Sequence, residues 1–181
     1  LHKTVIVAEM MLVNALKRVR ELSTTDTADL ETGGAMDFFL YHFDGNMNKQ
    51  TLQQFCELDD MDLSFAVKRW SHHKDFVLRE LCKGLLNRKL LKIKFQSGPF
   101  GQKELDEKLS AAMAKLNIGQ KEASYFVFTG ESNNTLYKTE DERINILMKD
   151  GSVKDISAID NPLIHQTISS AVKKNYICFL G

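Results

Sequence analysis

Four cationic side chains lie in one short stretch of the sequence, "LLNRKLLKIKF", at residues 85–95. They are Arg88, Lys89, Lys92 and Lys94, and they alternate with apolar residues where a helical pattern gives way to a strand pattern. Phosphate groups favour Arg for its bidentate guanidinium and Lys for its point charge. On an extended strand, Arg88 and Lys92 share one face and Lys89 lies on the other. Arg88 and Lys92 could therefore hold one anion together; the alternative is that all four cations solvate the outer face of a strand.

Two other polar stretches carry reactive side chains, but neither has the spacing of a metal site. The tandem histidines His72 and His73 in "SHHKD" have no Cys or Glu at ligand spacing, so we expect them to serve the loop and the start of a helix. The acidic stretch "LDDMDLSF" has Phe65 where a calcium loop beginning at Asp60 needs glycine. Negative charge at a helix N-terminus is its expected role. From the residues alone, no catalytic constellation emerges, and no glycine-rich phosphate loop is present.

Composition limits the function classes. The chain has 181 residues, of which 43% are hydrophobic, enough for one domain or two small ones. Its 24 basic and 24 acidic residues cancel, so no overall field favours nucleic acid or a membrane surface, and any anion site must be local. Cys56, Cys82 and Cys178 show no ligand or disulfide spacing, which is typical of a reducing compartment. Without a signal peptide or a membrane-length apolar run, we expect a soluble, cytoplasmic protein.

The sequence opens on a predicted helix of about 20 residues, "LHKTVIVAEMMLVNALKRVREL", with no convincing cap before it. Residues 5–13 are apolar almost all the way round the helix, and a helix of that kind is normally buried on every side. We therefore expect a fragment of a longer protein whose N-terminal part covers this helix, and we expect self-association or partner association through residues 5–13.

The remaining elements predict an α+β fold: an N-terminal helical part followed by a small antiparallel sheet with helices on one face. Helical patterns cover residues 36–42, 49–58, 62–70, 74–86, 102–116 and 161 to about 174. Strand patterns cover residues 89–96, 125–129 and 175–181, and residues 144–157 predict a hairpin with a type I′ turn at Asp150-Gly151. We place the boundary between a helical region, 1–88, and an α+β C-terminal lobe, 89–181.

Two stretches, "LHKTVIVAEMMLVNALKR" and "GLLNRKLLKIKF", together resemble the region that follows the metal site in HD-superfamily phosphohydrolases. The resemblance is to the deoxynucleoside triphosphate triphosphohydrolases, a group that includes the SAM-and-HD-domain enzyme. In that group an aromatic-x-His-Lys motif starts a long helix, and a junction containing Arg-Asn leads into the C-terminal lobe. The tail, "INILMKDGSVKDIS" with "NYICFLG", is similar to the end of uncharacterised bacterial HD-domain proteins.

The resemblance implies nucleotide-binding roles for five residues. His2 and Lys3 match a His-Lys pair that touches the phosphates of a regulatory nucleotide. Arg88 and Lys92 match the junction residues that reach a regulatory nucleotide at a subunit interface. Lys149 matches a further lysine of the C-terminal lobe. The expected partners are therefore nucleotide phosphates and, in a homo-oligomer, other copies of the chain.

The resemblance also implies that catalysis takes place elsewhere. The family binds its metal through a His, a His-Asp dipeptide and a distant Asp, and this sequence contains no His-Asp dipeptide. A divalent metal is therefore expected in an N-terminal HD domain outside this chain, with which the chain would associate. The chain itself is expected to hold no cofactor, no metal and no catalytic residue, and to show no phosphohydrolase activity alone.

Two functions of different classes follow from these observations. The first is the regulatory and assembly portion of a metal-dependent nucleotide phosphohydrolase. The second is a non-catalytic module that binds another protein through its apolar helix and sheet edge. A nucleic-acid binder is disfavoured by the neutral charge and by the lack of an interleaved aromatic and basic surface.

Overall fold

The predicted first helix, α1, is present and spans Lys3–Leu22. These bounds come from a computed structural model, which describes residues 2–24, 29–134, 144–159 and 172–181. The apolar half of α1 is not buried on every side: Ile6, Val7 and Met11 are buried, whereas Val5 is 58% exposed. The inner face of α1 packs along a later helix, Phe76–Leu86. Cover of its outer face by an N-terminal part of a longer protein stays a prediction.

The helices that follow α1 match their predicted positions closely. They are α2 at Gly34–Asp37, continued by a π-helical turn at Phe38–His42, then α3 at Lys49–Glu57, α4 at Asp60–Trp70 and α5 at Phe76–Leu86. The acidic stretch before α4 has the predicted N-terminal role. Asp59 accepts hydrogen bonds from the N–H groups of Met61 and Asp62, and the Asp62 carboxylate accepts one from the N–H of Asp59. This reciprocal capping box satisfies N–H groups that the helix itself leaves unpaired.

After α5, the described residues combine strands with α-helices, so the α+β class is confirmed. The elements are β1 at Lys92–Gln96, α6 at Gln102–Leu116, α7 at Gln120–Ala123, β2 at Phe128–Asn134, β3 at Asn145–Leu147, β4 at Val153–Asp155, a 3₁₀ turn at Ile156–Ala158 and β5 at Val172–Phe179. Strand β5 lies between β1 and β2 in an antiparallel sheet, and β3 pairs with β4 in a separate hairpin.

Three strand boundaries differ from the predicted ones. Strand β1 begins at Lys92 and not at Lys89, because the preceding residues complete the end of α5. Strand β2 continues through the polar residues 130–134, which were predicted to be a connection, because they pair with β5. Lys173 and Lys174, predicted to end a helix, belong to β5. The rest of that predicted helix, 161–171, falls outside the described residues.

The three-stranded sheet has an apolar layer on each face. On one face, Ile93, Tyr176 and Cys178 join the large core formed with α1 and α5. On the other face, Phe179 packs with the smaller core around Ala112 of α6. Helix α6 therefore lies on one face of the sheet, and α1 and α5 cover the opposite face.

Candidate phosphate-binding site

Helix α5 ends in a Schellman motif whose left-handed residue is Arg88. The N–H of Lys89 donates to the carbonyl oxygen of Gly84 at 2.9 Å, and the N–H of Arg88 donates to that of Leu85 at 3.3 Å. Arg88 has a φ of 54°, in the left-handed region that glycine or asparagine normally occupies at this position. Placing a Cβ there costs about 1–2 kcal/mol. The chain therefore carries backbone strain at one of the residues predicted to bind phosphate.

Arg88 and Lys89 do not lie on opposite faces of a strand, so that prediction is wrong. Residues 88–91 precede β1, so side-chain alternation along a strand does not assign the faces of Arg88 and Lys89. Lys89 lines a groove of about 260 Å³ together with Lys83 and Asn87 at the end of α5. Arg88 is exposed at the turn.

The two strand lysines, Lys92 and Lys94, lie on the same face of β1 but differ in their partners. Lys94 Nζ lies 2.8 Å from Glu104 Oε1 and 5.6 Å from the centre of the Phe100 ring. Lys92 is exposed, and its aliphatic stem lies against Gly181. Neither Lys92 nor Arg88 forms an ion pair within the part of the chain that the structure describes. These two cations are therefore available to an external anion, whereas Lys94 is already paired.

The start of α1 lies beside this junction. His2 occupies the cap position, with its carbonyl oxygen accepting from the N–H of Val5 at 3.1 Å. Lys3 lines a shallow pocket of about 110 Å³ with Leu90 and Ile93, the residues that flank the start of β1. The structure therefore brings Lys3 to the segment that connects Arg88 with Lys92.

Lys149 lies in the turn of the separate β3–β4 hairpin. The hairpin is confirmed, but its turn is not of type I′: only Gly151 has a positive φ, 80°, and the N–H of Met148 donates to the carbonyl oxygen of Ser152 at 2.8 Å. A type I′ turn needs positive φ at both central residues. No contact among the described residues brings Lys149 next to Arg88 or Lys92.

The tandem histidines have the structural role that the sequence predicts. His73 is buried, and its Nδ1 accepts a hydrogen bond from the N–H of Asp75 at 3.0 Å, just before α5. Burial lowers the pKa of His73. Within residues 2–24, 29–134, 144–159 and 172–181, no group of three His, Cys, Asp or Glu side chains is arranged to hold a metal.

A second charged cluster joins the end of α1 to α7. No motif or spacing in the sequence predicted it. Glu21 Oε2 lies 3.0 Å from Arg18 Nη1 and 3.3 Å from Lys121 Nζ. A hydrogen bond from Tyr125, supported by those from Lys121 and Arg18, lowers the pKa of Glu21. Burial and the same hydrogen bond raise the pKa of Tyr125 to about 12. Contacts between residues about a hundred positions apart leave no periodic signal in the sequence.

Comparison with known proteins relates this geometry to a phosphohydrolase. No protein-family model matches the chain. The crystal structure of a phosphohydrolase from Bacteroides thetaiotaomicron VPI-5482 superposes with a TM-score of 0.82 at 35% identity, over 100% of this chain and 46% of that one. The chain shares the fold of part of a phosphohydrolase. The Uncharacterized protein YwfO of Bacillus subtilis (strain 168) is 26% identical over 160 residues, which are 83% of this chain and 34% of that protein.

The similarity relates the chain to a phosphohydrolase but does not identify a superfamily or a substrate. The chain spans less than half of the structural relative and about a third of YwfO. The resemblance to phosphohydrolases is therefore confirmed, whereas the HD superfamily and the triphosphohydrolase group stay predictions. No helix among the described residues has the length and apolar character needed to cross a membrane.

Proposed function

We propose that this chain is the regulatory and assembly portion of a metal-dependent nucleotide phosphohydrolase of the HD superfamily. In this proposal, Arg88 and Lys92 bind the phosphates of a nucleotide, with His2 and Lys3 contributing from the start of α1. Lys149 would contribute only after the β3–β4 hairpin, or a neighbouring copy of it, approaches the junction. The catalytic metal and its ligands would lie outside this chain.

The observation that carries the proposal is the left-handed backbone of Arg88. Arg88 is exposed and forms no ion pair with a residue that the structure describes, so no such contact compensates the cost of its left-handed backbone. Strain of this kind concentrates at ligand-binding sites, where the side chain itself is required. Lys3 lines a pocket with Leu90 and Ile93, and Lys92 begins β1, so both supply positive charge to the segment that follows Arg88.

The expected affinity is modest. A hydrogen bond to a charged group contributes about 1.5–3 kcal/mol when it is well formed. Three such contacts, reduced by the cost of ordering long exposed side chains, correspond to dissociation constants between about a micromolar and a millimolar. A nucleotide held between subunits would also stabilise the assembled form by mass action.

Calorimetric titration with a nucleoside triphosphate tests the proposal, using the complete gene product that contains this chain. The variants are Arg88→Gly and Lys92→Ala, with Lys94→Ala as the matched control because Lys94 is already paired with Glu104. We expect each of the first two changes to weaken binding about tenfold or more, corresponding to the loss of at least one charged contact. The control should keep the affinity of the unmodified protein.

Equal affinities across the three variants would leave the junction cations as solvated surface charge. Arg88→Gly is preferred to Arg88→Ala because glycine suits the left-handed backbone, so a lost affinity cannot be ascribed to a damaged fold.

A non-catalytic interaction module is the second candidate, and exposed apolar side chains on α3 and α4 favour it. Leu52 and Phe55 are 54% and 61% exposed, and Met61 and Phe65 are 73% and 54% exposed. Where such side chains form one contiguous patch, the patch is typical of an interaction surface. Light scattering on a Phe55→Ser/Phe65→Ser variant should then report a smaller assembly than the wild type forms. Leu147 is also exposed but lies in the hairpin, so Leu147→Ser should not change the assembly.

A further inference from the structure

A cleft of about 620 Å³ opens between the C-terminal half of α1 and the segment that runs from α7 into β2. Its volume lies within the range of small-molecule sites in proteins. Three cations line it, Lys17 and Arg20 from α1 and Lys121 from α7. Tyr125 and Phe128 contribute aromatic rings to the same cleft.

The cleft is separate from the Arg88 junction. Lys3, which lies beside that junction, and Arg20 are about 25 Å apart along α1, given the rise of an α-helix. A ligand of nucleotide size cannot touch both ends of this helix.

The cleft has a net positive charge, and most of its cationic side chains form no ion pair with a described residue. Its single lining carboxylate, Glu21, already contacts Arg18 and Lys121 at 3.0 and 3.3 Å. Three cations and one carboxylate leave a net charge of +2 in the lining. Lys17 and Arg20 are exposed and form no ion pair with any residue that the structure describes. The C-terminus of α1 adds a partial negative charge of about one half, which offsets only part of this surplus.

The aromatic wall of the cleft is held rigidly. Asn14, itself buried, donates from Nδ2 to the carbonyl oxygen of Tyr125 at 3.0 Å. The guanidinium of Arg18 lies 5.8 Å from the centre of the Tyr125 ring. Because the first contact fixes the Tyr125 backbone, and the second packs against its buried ring, this wall is ordered before any ligand arrives and binding beside it costs little additional ordering.

We propose that this cleft binds a nucleoside di- or triphosphate, with its phosphates on Lys17, Arg20 and Lys121 and its base against the partly exposed ring of Phe128, behind which the buried Tyr125 forms the wall of the cleft. Cations supply the charge-assisted contacts that phosphate oxygens accept, and every nucleobase has a flat face that packs on an aromatic ring. The site is independent of the nucleotide site proposed at Arg88, because it shares no residue with it.

Isothermal titration of the complete gene product with ATP, and separately with inorganic tripolyphosphate, tests this assignment. The test variant is Lys17→Ala/Arg20→Ala, which removes two exposed cations from the cleft. Lys68→Ala/Lys103→Ala is the matched control, because it removes two exposed helical lysines and changes the net charge equally. Arg88→Gly/Lys92→Ala removes the site proposed at the Arg88 junction, so that ATP binding in the cleft can be measured without it.

We expect the Arg88→Gly/Lys92→Ala protein to retain an ATP site that Lys17→Ala/Arg20→Ala weakens tenfold or more and that the lysine control leaves unchanged. ATP should bind this site more tightly than tripolyphosphate, since only ATP can use the aromatic wall. Loss of all ATP binding in Arg88→Gly/Lys92→Ala, or equal weakening by the control pair, would overturn the cleft as a binding site. Equal affinity for ATP and tripolyphosphate would overturn the part assigned to the base.

Discussion

Arg18 and Asp75 join the first helix to the start of α5 through two parallel hydrogen bonds. Arg18 Nε donates to Asp75 Oδ1 at 3.1 Å, and Nη2 donates to Oδ2 at 2.7 Å. The two side chains are only 14% and 13% exposed. The Asp75 carboxylate also accepts the N–H of Leu78, so one side chain both caps α5 and ties it to α1.

Replacing Asp75 by Asn should destabilise the fold by about 2–3 kcal/mol, between the values for exposed and fully buried ion pairs. Asparagine still caps the helix, so the loss isolates the pairing with Arg18. Urea unfolding can be followed through Trp70, the chain's single tryptophan, which is fully buried. Asp29→Asn is the control, because it breaks the exposed Lys74–Asp29 pair, and it should change stability by less than about 0.5 kcal/mol.

The stability difference between the wild type and Asp75→Asn should depend on pH. Burial raises the pKa of Asp75, but the hydrogen bonds from Arg18 and from the Leu78 N–H outweigh burial and lower it below its ordinary value. A carboxylate whose pKa is lower in the folded state stabilises the fold above its unfolded pKa, about 3.9. The difference should therefore be complete at neutral pH and shrink as the pH falls below about 4. A difference that is the same at pH 3 and pH 7 would show that Asp75 contributes by packing alone.

Replacing Arg88 by Gly should stabilise the fold by about 0.5–1 kcal/mol, because relief of the left-handed strain exceeds the extra entropy of glycine in the unfolded chain. Arg88→Ala keeps the strain and should leave stability nearly unchanged. Urea midpoints of the two variants provide the comparison. A less stable Arg88→Gly protein would mean that the arginine side chain contributes to the fold, which would remove the main support for a binding role.

The helices could be predicted because their apolar stripes repeat at helical spacing. Helix α5 is an example, with Val77, Leu81 and Leu85 facing inward. The conformation at its C-terminal end could not be predicted in the same way. The helix ends in a Schellman motif without glycine, and an arginine in left-handed backbone has no signature in composition or periodicity. The strand was therefore predicted to begin too early, and the faces of Arg88 and Lys89 were assigned by a rule that does not apply to them.

The sheet could be predicted only in part, because pairing partners decide strand length. Glu131 and Ser132 have little intrinsic strand preference and belong to β2 because β5 offers them hydrogen-bonding partners, Asn175 and Lys174. The cleft at the end of α1 was missed for a similar reason. Arg20 and Lys121 are ordinary surface residues in the sequence, and only the tertiary fold places them in one lining.

The three thiols should react at two very different rates. Cys56 is exposed, whereas Cys82 and Cys178 are fully buried in the core, where burial raises the pKa of each to about 12. Because the thiolate is the reactive form, we expect one thiol to react with a disulfide reagent in the native protein and all three to react after unfolding. Rapid native labelling of a second thiol would show that the core opens locally on the timescale of the reaction.

Gly84→Ala should destabilise the fold by about 1–2 kcal/mol, although glycine-to-alanine changes inside helices usually stabilise by about 1 kcal/mol. A Cβ at Gly84 would lie 2.8 Å from Met11 Cε and 3.1 Å from the carbonyl oxygen of Lys89. The Met11 side chain can move aside, but the Lys89 carbonyl belongs to the backbone turn that ends α5, so that turn must shift by a few tenths of an ångström.

Urea unfolding of Gly84→Ala and of Gly98→Ala tests this close approach, since Gly98 has no atom within 4 Å of an added Cβ and should tolerate alanine. The change at Gly84 should cost less in a Met11→Ala background, because removing the methionine leaves room for the new methyl group and couples the two sites. A Gly84→Ala protein as stable as an ordinary helical alanine variant would mean that the Met11 side chain and the turn after α5 adjust without loss. The packing that holds Lys3 beside the Arg88 junction would then be looser than the contact between these two helices indicates.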